Sequence, residues 1–413
     1  MSQTLLLIES GKEQYRGFTL EALKKDDVNI VLVSKDEPTW QRKYISDYIS
    51  ANVDEHDKFF IKVVEYNRQQ PLHGVLTFVE RLVPLTAEIS EILGCRFVTP
   101  EIALGARNKM KMRAKFAMAG LPTPKSISLD AAERDFPSDF QFPAVIKPVM
   151  GFASLNVFRI ESWDDLEWAK SIIAKDNHPT LPHPGEAYLI EEYIDGKEFS
   201  VESVVSGDKI CHYEITKKVT CPEPYFEEVA HITPAHLSAF EREAILNSVE
   251  KGIRALGLNN CATHSEIRLS SKRGPVLIEV AARLGGDKIP FLVELTTGAS
   301  PSAAAGRAAL DREIPSAREP NKYAGIVFFV PLKSGISNKT ITVPPDNVKG
   351  IVEFRCDVVA GQKVIAPPDQ FFTRLGFAIV EGCSYEQVAR ELELVVQYIE
   401  QHTGLALASK LSY

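Results

Sequence analysis

The chain has 413 residues, of which 45% are hydrophobic and 25% charged, with a formal net charge of -8 at pH 7. That length is too great for one hydrophobic core and predicts two to four globular domains. The acidic balance argues against nucleic acid as the main partner, and no apolar run approaches the ~20 residues of a membrane span. Six cysteines without CxxC spacing argue against a zinc site or a disulfide framework and predict a reduced, cytoplasmic setting.

The N-terminal part predicts a small parallel α/β layer. Short apolar runs at residues 5–8, 30–33 and 75–78 are typical of strands, and residues 16–24 of a helix. The loop after the first strand, ESGKEQYRG, lacks the GxGxxG spacing of a dinucleotide site, yet it occupies a strand's carboxyl end, where ligands of open sheets collect. Glu80 follows the later strand at the same kind of position, where a surface acid at a helix start is the simpler interpretation.

The middle of the chain combines basic residues with short strands. Lys109 opens a predicted helix in NKMKMRAKFAMAG, which Gly120 and the following prolines end. Lys147 closes the apolar strand PAVIK before a loop of small residues, where backbone N–H groups can approach phosphate. No GxxxxGK[ST] occurs, so this is not a P-loop. Further helices are predicted at 163–174 and 237–256, and a strand at 188–191.

A predicted β-hairpin follows in HSEIRLSSKRGPVLIEVAAR. A turn centred between Lys272 and Arg273 places Glu266 directly opposite Glu279, while Ile278 falls on the apolar face. Like charges at that spacing destabilise a sheet unless something neutralises them, and a divalent cation with oxygen ligands would do so. The alternative is a solvated face on which Arg268 or Lys272 screens the two acids.

The last quarter predicts a β-rich closing unit. Strands are expected in GIVFFVP, GIVEFRCDVV and GFAIVEG, followed by a helix at 385–403.

This order of parts, from about Asn108 to Ala308, resembles the ATP-grasp superfamily. The resemblance implies an α/β and α+β protein. It would have an N-terminal Rossmann-like (preATP-grasp) domain at 1–107, an ATP-grasp domain at 108–320 whose nucleotide-clamping subdomain spans about 125–195, and a C-terminal β-rich part at 321–413. The ligands that it implies are ATP and Mg²⁺, with Mn²⁺ as a substitute.

The resemblance also implies roles for single residues. Lys109 and Lys147 would contact ATP phosphates, and the loop at 150–154, with Ser154, would fold over them. The remaining nucleotide and metal assignments are the adenine hinge Glu191, Glu192, Tyr193 and Ile194, the ribose ligand Glu198, the metal ligands Glu266 and Glu279, and Arg283 beside the acyl-phosphate. Ala281 stands where the superfamily usually has asparagine, so the number of metal ions is left open.

Within the superfamily, the segments KKVTCPEPYFEEVAHITPAHL, EVAARLGGD and RLGFAIVEGCSYEQVARELE resemble the L-amino-acid ligases, the dipeptide synthetases of the alanine–anticapsin type. By that likeness Glu228 would handle an amine and His231 would donate to an oxyanion, whereas the simpler alternative is that His231 caps a loop before Pro234. Glu80 and Arg268 become candidates for placing substrate. Lys217 and Lys218 would reach phosphate or be solvated edge lysines.

The resemblance therefore implies an enzyme that joins one amino acid's carboxylate to another's amine through an acyl-phosphate and releases ADP and phosphate. Two alternatives stay open: loading of an amino acid onto an acyl-carrier-protein thiol, and ATP binding without turnover. Amino acids are the expected partners, nucleic acid and membranes are not, and a homodimer is expected from the resemblance alone.

Overall fold

A parallel four-stranded sheet forms the N-terminal layer in the computed structural model, which describes residues 3–134, 140–175 and 188–408. Its strands lie in the order β3-β2-β1-β4. The elements of this part are β1 (Thr4–Ile8), α1 (Glu13–Lys25), β2 (Asn29–Ser34), β3 (Asp47–Ser50), α2 (His56–Gln69), β4 (Gly74–Thr77), α3 (Val83–Leu93), α4 (Pro100–Arg107) and α5 (Lys109–Met118).

The central strand of this layer is apolar at successive positions because both of its faces are covered. Leu5 and Leu7 belong to one buried cluster, and Leu6 and Ile8 belong to another on the opposite face. Parallel sheets with helices on both sides require such continuous runs. The prediction of a small parallel α/β layer at the N-terminus is confirmed.

A smaller antiparallel sheet follows, with the strand order β5-β8-β6-β7 in the described residues. Its elements are β5 (Ser126–Ser128), α6 (Leu129–Arg134), β6 (Ala144–Pro148), β7 (Phe158–Ile160), α7 (Trp163–Ile173) and β8 (Tyr188–Glu192). Lys147 is the penultimate residue of β6, and the short loop after it leads to β7. This sheet coincides with the part predicted to clamp the nucleotide.

The largest sheet contains eight strands within the described part of the chain, in the order β13-β12-β9-β10-β11-β14-β18-β16. The elements of the remaining chain are β9 (Lys197–Ser206), β10 (Lys209–Thr220), β11 (Glu228–Thr233), α8 (Ala239–Leu256), β12 (Cys261–Ser270), β13 (Gly274–Ala281), α9 (Ile289–Thr297), α10 (Pro301–Ala309), β14 (Tyr323–Phe328), β15 (Gly335–Ile336), β16 (Ile351–Cys356), β17 (Lys363–Val364), β18 (Gly376–Gly382) and α11 (Tyr385–Thr403).

The C-terminal strands extend this sheet, since β14 pairs with β11 and β18 pairs with β14. Helix α11 packs on these strands through Val388, Leu392, Val395 and Ile399, which recur at the spacing of one helix face. The short strands β15 and β17 pair in a separate two-stranded sheet, and the described sheets and their helices together give an N-terminal parallel-sheet domain followed by antiparallel sheets. The exact domain bounds stay a prediction.

The hairpin β12–β13 brings Glu266 opposite Glu279, as the sequence predicts. The turn is centred on Lys272, because Ser270 pairs with Gly274, and a bulge then adds one residue on β13 and restores the expected pairing. The bulge overturns the expectation for Ile278, which lines a cavity, whereas Leu277 packs in the core instead.

The interpretation of Lys217 and Lys218 as solvated edge lysines is wrong. They lie on β10, which has β9 on one side and β11 on the other, and both side chains are buried. None of the helices in the described ranges is long and apolar enough to cross a membrane.

Candidate active site

Two adjoining cavities lie where the three sheets meet, one of about 110 Å³ and one of about 730 Å³. The smaller is bounded by the loop after β6, the end of β8 and the hairpin β12–β13, and the larger also reaches α1 and the C-terminal segment before β18. The residues that line both are Phe152, Ala153, Glu228, His264, Glu266 and Arg283. A group bound in one cavity can therefore meet a group bound in the other across this shared wall.

Lys147 points from the end of β6 into the smaller cavity, where Glu191 of β8 is its ion-pair partner. Arg113 of α5 binds the same carboxylate through Nε and Nη2, at 3.1 and 3.2 Å. Burial works against the charge of Glu191, but Arg113 and Lys147 hold its pKa below the usual range. The Glu191 side chain thus fixes the lysine, a role that the sequence did not suggest for this hinge residue.

Lys109 lies on the same side because the first turn of α5 is tied to the β6 loop. Its backbone N–H donates to Val149 O at 3.0 Å, and its Nζ lies 2.9 Å from Glu279 Oε2. Its side chain is 6% exposed. Two buried ammonium groups that line one cavity suit an anionic ligand such as a polyphosphate.

The loop at 150–154 approaches the shared wall with Ala153 and Ser154 at positive φ, 52° for each. Arg107, at the end of α4, holds this loop by donating to Gly151 O at 3.1 Å and Met150 O at 3.4 Å. The same guanidinium donates to Glu80 Oε1 at 3.1 Å. One arginine therefore connects the loop with an acid of the larger cavity.

The hinge from Glu191 to Ile194 borders the smaller cavity. The N–H groups of Glu192 and Tyr193 already donate to Lys125 O and Pro143 O, at 2.9 and 3.2 Å. An adenine contact there would consequently fall on the hinge carbonyls and on the Ile194 N–H.

Arg268 lies at this hinge and not in the larger cavity. Its Nη2 donates to Gly196 O at 2.9 Å, and its guanidinium stacks 5.0 Å from the centre of the Tyr193 ring. Arg268 lines the smaller cavity, and its expected role in placing the amino acid substrate stays a prediction.

The opposed glutamates of the hairpin face cations on both sides. Lys218 Nζ lies 2.6 Å from Glu266 Oε1, and Lys109 meets Glu279 as described. His264 lies two residues before Glu266 on β12, and its Nε2 is 3.4 Å from Glu266 Oε1. Burial opposes ionisation of Glu266, yet Lys218 and His264 hold its pKa well below the usual range. Glu266 thus presents an ionised carboxylate to the smaller cavity, which the Glu279 side chain also lines.

Lys218 stands at the centre of three carboxylates. Its Nζ is 3.2 Å from Glu198, 2.7 Å from Glu228 and 2.6 Å from Glu266, and its side chain is 1% exposed. Although burial disfavours its charge, the three acids raise its pKa well above the ordinary value. The expected ribose ligand, amine ligand and metal ligand are consequently held in one ionic cluster.

The donor set at the hairpin fits a hard divalent cation. Two carboxylates on paired strands at the rim of a cavity, with room for phosphate oxygens, are the ligands that Mg²⁺ prefers. The position of Ala281, opposite His264, supplies no further oxygen. Glu266 and Glu279 would therefore be the protein's contribution to such a site.

A second cluster of metal-ligating groups consists of Glu228, His231 and Asp287, whose ligand atoms lie within 4.8 Å of one another. Two cationic side chains pair with its acids. Lys218 binds Glu228, and Arg374 donates to both oxygens of Asp287 at 2.5 and 2.8 Å. The acids of this cluster are therefore already paired with cations of the chain, as are Glu266 and Glu279.

His231 is fully buried behind the larger cavity, with Nε2 3.2 Å from both Glu228 Oε2 and Asp287 Oδ2. Burial opposes its charge, but the two carboxylates raise its pKa above the ordinary value. It lines neither cavity, so the geometry favours a role in positioning Glu228 and Asp287. Glu228 itself lies in the shared wall.

Arg283 and Glu80 form an ion pair at the other end of the wall. Burial works against the Glu80 charge, but Arg283 and Arg107 lower its pKa. Glu80 is thus a buried, ionised acid, 6% exposed, and the surface-acid interpretation is wrong.

Sequence reasoning missed Arg107, Arg113, Asp287 and Arg374. Arg374 reaches Glu227 and Asp287 across 147 and 87 positions of sequence. Only the glycines before Asp287, in the quoted run EVAARLGGD, gave a local signal of a backbone turn at the site.

Comparison with known proteins agrees with this geometry. Residues 140–290 match the ATP-grasp domain model, and residues 28–95 match the ATP-grasp N-terminal domain model, which together cover more than half of the chain. The alanine–anticapsin ligase of Bacillus subtilis is 31% identical over 256 residues, 56% of this chain and 54% of that protein. The chain thus spans about half the length of the curated relatives that it matches first.

Two further relatives match over more of their length. The L-arginine-specific L-amino acid ligase of Bacillus subtilis is 22% identical over 70% of this chain and 71% of that protein. The crystal structure of an L-amino acid ligase from Bacillus licheniformis superimposes with a TM-score of 0.80, at 22% identity, over 98% of this chain and 99% of that one. ATP-grasp proteins use ATP with Mg²⁺. From its fold, its paired hairpin carboxylates and these matches, the chain belongs to the ATP-grasp superfamily.

Proposed function

We propose that this protein is an ATP-dependent carboxylate–amine ligase that joins two amino acids through an acyl-phosphate. The observation that carries the proposal is the wall common to the two cavities, since a cavity lined by two lysines and by the paired hairpin carboxylates adjoins a second, larger pocket there. The similarity to alanine–anticapsin ligase and to the L-amino acid ligases supports this reaction class.

ATP would occupy the smaller cavity. Lys109 and Lys147 would bind its phosphates, the loop with Ser154 would cover them, and Glu198 would bind ribose. The adenine would lie against the hinge at Glu192 and Ile194. Glu266 and Glu279 would hold Mg²⁺, which when bound neutralises phosphate charge and stabilises the negative charge that develops during phosphoryl transfer.

The first amino acid would bind in the larger cavity with its carboxylate at the shared wall. A carboxylate oxygen attacks the γ-phosphorus, the bond to the β-phosphate oxygen breaks, and ADP leaves with that bond's electrons. Arg283 would hold the reacting carboxylate and the acyl-phosphate formed from it, because a guanidinium binds two oxygens at once. Glu80 orients Arg283 and would place the substrate's ammonium group.

The second amino acid would then attack the acyl carbon with its neutral amine. The tetrahedral species collapses as the carbon–oxygen bond to phosphate breaks, and inorganic phosphate leaves. Glu228 would receive the proton from the amine, since it lies in the wall and His231 fixes its orientation. Asp287 would hold His231, and Arg374 would in turn hold Asp287, so that Glu228 and His231 stay in place.

The test is a screen of amino-acid pairs with ATP and Mg²⁺ for phosphate release. We expect pair-dependent formation of ADP, phosphate and a dipeptide. Formation of AMP would refute the acyl-phosphate route. Transfer to an acyl-carrier-protein thiol with no dipeptide from free amino acids would favour the carrier-loading alternative, and tight ATP binding without ADP formation would favour a non-catalytic role.

The cytoplasmic setting and the homodimer stay predictions. Analytical ultracentrifugation of the purified chain would test the dimer.

A further inference from the structure

Arg16 of α1 borders the larger cavity. It comes from the loop-and-helix segment ESGKEQYRG after β1, and together with Lys12, Gln14 and Tyr15 it brings the N-terminal layer to the substrate pocket. It does not line the smaller cavity. No step of the proposed reaction involves Arg16.

The Arg16 guanidinium is held by neutral partners. Nη1 donates to Gly285 O at 3.0 Å, and Nη2 donates to Phe78 O at 3.3 Å. Its central carbon lies 5.5 Å from the centre of the Phe78 ring. These contacts fix the plane of the guanidinium and account for only part of its five N–H donors.

The other arginines around this cavity each have a carboxylate within the described chain. Arg283 faces Glu80, Arg374 faces Asp287 and Glu227, and Arg355 faces Asp357. Among the described residues, Arg16 has no such partner within ion-pair distance. Burial and the nearby charge of Arg283 lower the pKa of Arg16 to about 10, while Asp287 and Glu202 offset this only in part. A fixed, incompletely balanced cation beside a pocket favours an anionic ligand.

A ligase of the proposed kind must accommodate two carboxylates. One is activated beside the phosphate-binding groups, and the acceptor's carboxylate must stay unreacted at a distance from them. We infer that Arg16 binds the free α-carboxylate of the acceptor amino acid through the fork of its guanidinium. This inference rests on the proposed function, because it assigns the acceptor of the same reaction.

A carboxylate bound to Arg16 would fix the orientation of the acceptor in the larger cavity. Its amine would point to Glu228 in the shared wall, its carboxylate to Arg16, and its side chain to the aromatic rim formed by Tyr15, Phe371 and Phe372. Acceptors that lack a carboxylate would lose the charge-assisted hydrogen bonds to Arg16.

The experiment compares an acceptor amino acid with its α-amide, using wild type, Arg16→Gln, Arg16→Lys and Arg312→Gln. Arg312 is the matched control, since it is also half-buried, bonds an amide oxygen at 2.6 Å and a carbonyl at 3.3 Å, and lines neither cavity. We expect wild type to prefer the amino acid over its amide by roughly 10- to 100-fold in kcat/KM, the range of a lost charge-assisted hydrogen bond. Arg16→Gln should abolish that preference, Arg16→Lys should retain part of it, and Arg312→Gln should retain it fully.

Hydroxylamine as the acceptor separates this inference from the proposed function. Hydroxamate formation needs the acyl-phosphate but no acceptor carboxylate, so Arg16→Gln should form hydroxamate at the wild-type rate. An equal loss with amino acid, amide and hydroxylamine would overturn the inference and leave the ligase reaction intact, as would equal use of amino acid and amide by wild type.

A wild type that forms no hydroxamate with any amino acid would refute the proposed function. Calorimetry in the presence of a non-hydrolysable ATP analogue would then measure the affinities of the amino acid and its amide, which tests the Arg16 site without turnover. Preferential binding of the amino acid that Arg16→Gln removes supports the site, and equal binding of both compounds overturns it. Wild type alone gives this comparison if the variant fails to fold.

Discussion

Lys109 Nζ lies 2.9 Å from Glu279 Oε2, which joins the first turn of α5 to the hairpin of the large sheet. In the proposed reaction, the lysine would bind phosphate and the glutamate would bind Mg²⁺. The two side chains therefore mark the position where the phosphates of Mg·ATP would face a cation and its metal ion would face a carboxylate. Their mutual ion pair holds both side chains in place.

Replacing Glu279 with Gln should lower ADP formation by at least ~100-fold while the chain stays folded, because the substitution removes one anionic ligand from a site that stabilises transferring charge. Steady-state ADP release and thermal unfolding would be measured together. Glu381→Gln is the matched control, since Glu381 forms a surface pair with Lys322 at 2.6 Å. A Glu279→Gln protein with wild-type turnover would refute the metal assignment.

Lys218→Met should destabilise the protein by about 3–5 kcal/mol, because it leaves the carboxylates of Glu198, Glu228 and Glu266 without their common buried cation. Chemical denaturation would measure this change. Lys322→Met removes a lysine that is 36% exposed and should cost no more than ~1 kcal/mol. Equal effects of the two substitutions would contradict the buried cluster.

Arg107→Met should lower kcat/KM for ATP and for the first amino acid by roughly 10- to 100-fold, because one guanidinium holds both the loop and Glu80. Arg107→Lys keeps the charge but not the fork, so it should restore activity only in part. Initial-rate kinetics would give both parameters. Unchanged kinetics for Arg107→Met would show that the loop needs no such anchor.

The stability of the protein should depend on pH through Glu227, which burial gives a raised pKa of about 7 against the opposing effect of Arg374. The folded state then binds a proton that the unfolded state releases near pH 4.5, so wild-type stability should fall as pH rises from about 4.5 to 7. Glu227→Gln removes this term, on the order of 3 kcal/mol. The variant should therefore gain stability relative to wild type between pH 5 and pH 8. A difference that is the same at both pH values would contradict the assignment.

The sequence predicted the parts of this fold that local periodicity encodes. The helix α11 has the expected bounds, and Glu266 pairs with Glu279 as expected. The bulge at Ile278 could not be predicted, because one added residue depends on packing against neighbouring strands. The partners of Arg107 and Arg374 were equally hidden, since Arg107 meets Glu80 across 27 positions of sequence and Arg374 meets Glu227 across 147.

The same limit explains the position of Arg16. The loop after β1 was expected to lie at a ligand-binding edge, and its residues line the larger cavity. The orientation of the Arg16 guanidinium could not be predicted, because it depends on the carbonyls of Phe78 and Gly285 in two other parts of the chain.

The most direct test of the central claim is the fate of ¹⁸O from the carboxylate of the first amino acid. With ATP, Mg²⁺ and a productive pair, an acyl-phosphate route transfers one ¹⁸O atom into the released inorganic phosphate, which mass spectrometry detects. We predict labelled phosphate together with unlabelled ADP. Dipeptide formed with unlabelled phosphate, or with the label in AMP, would contradict the account.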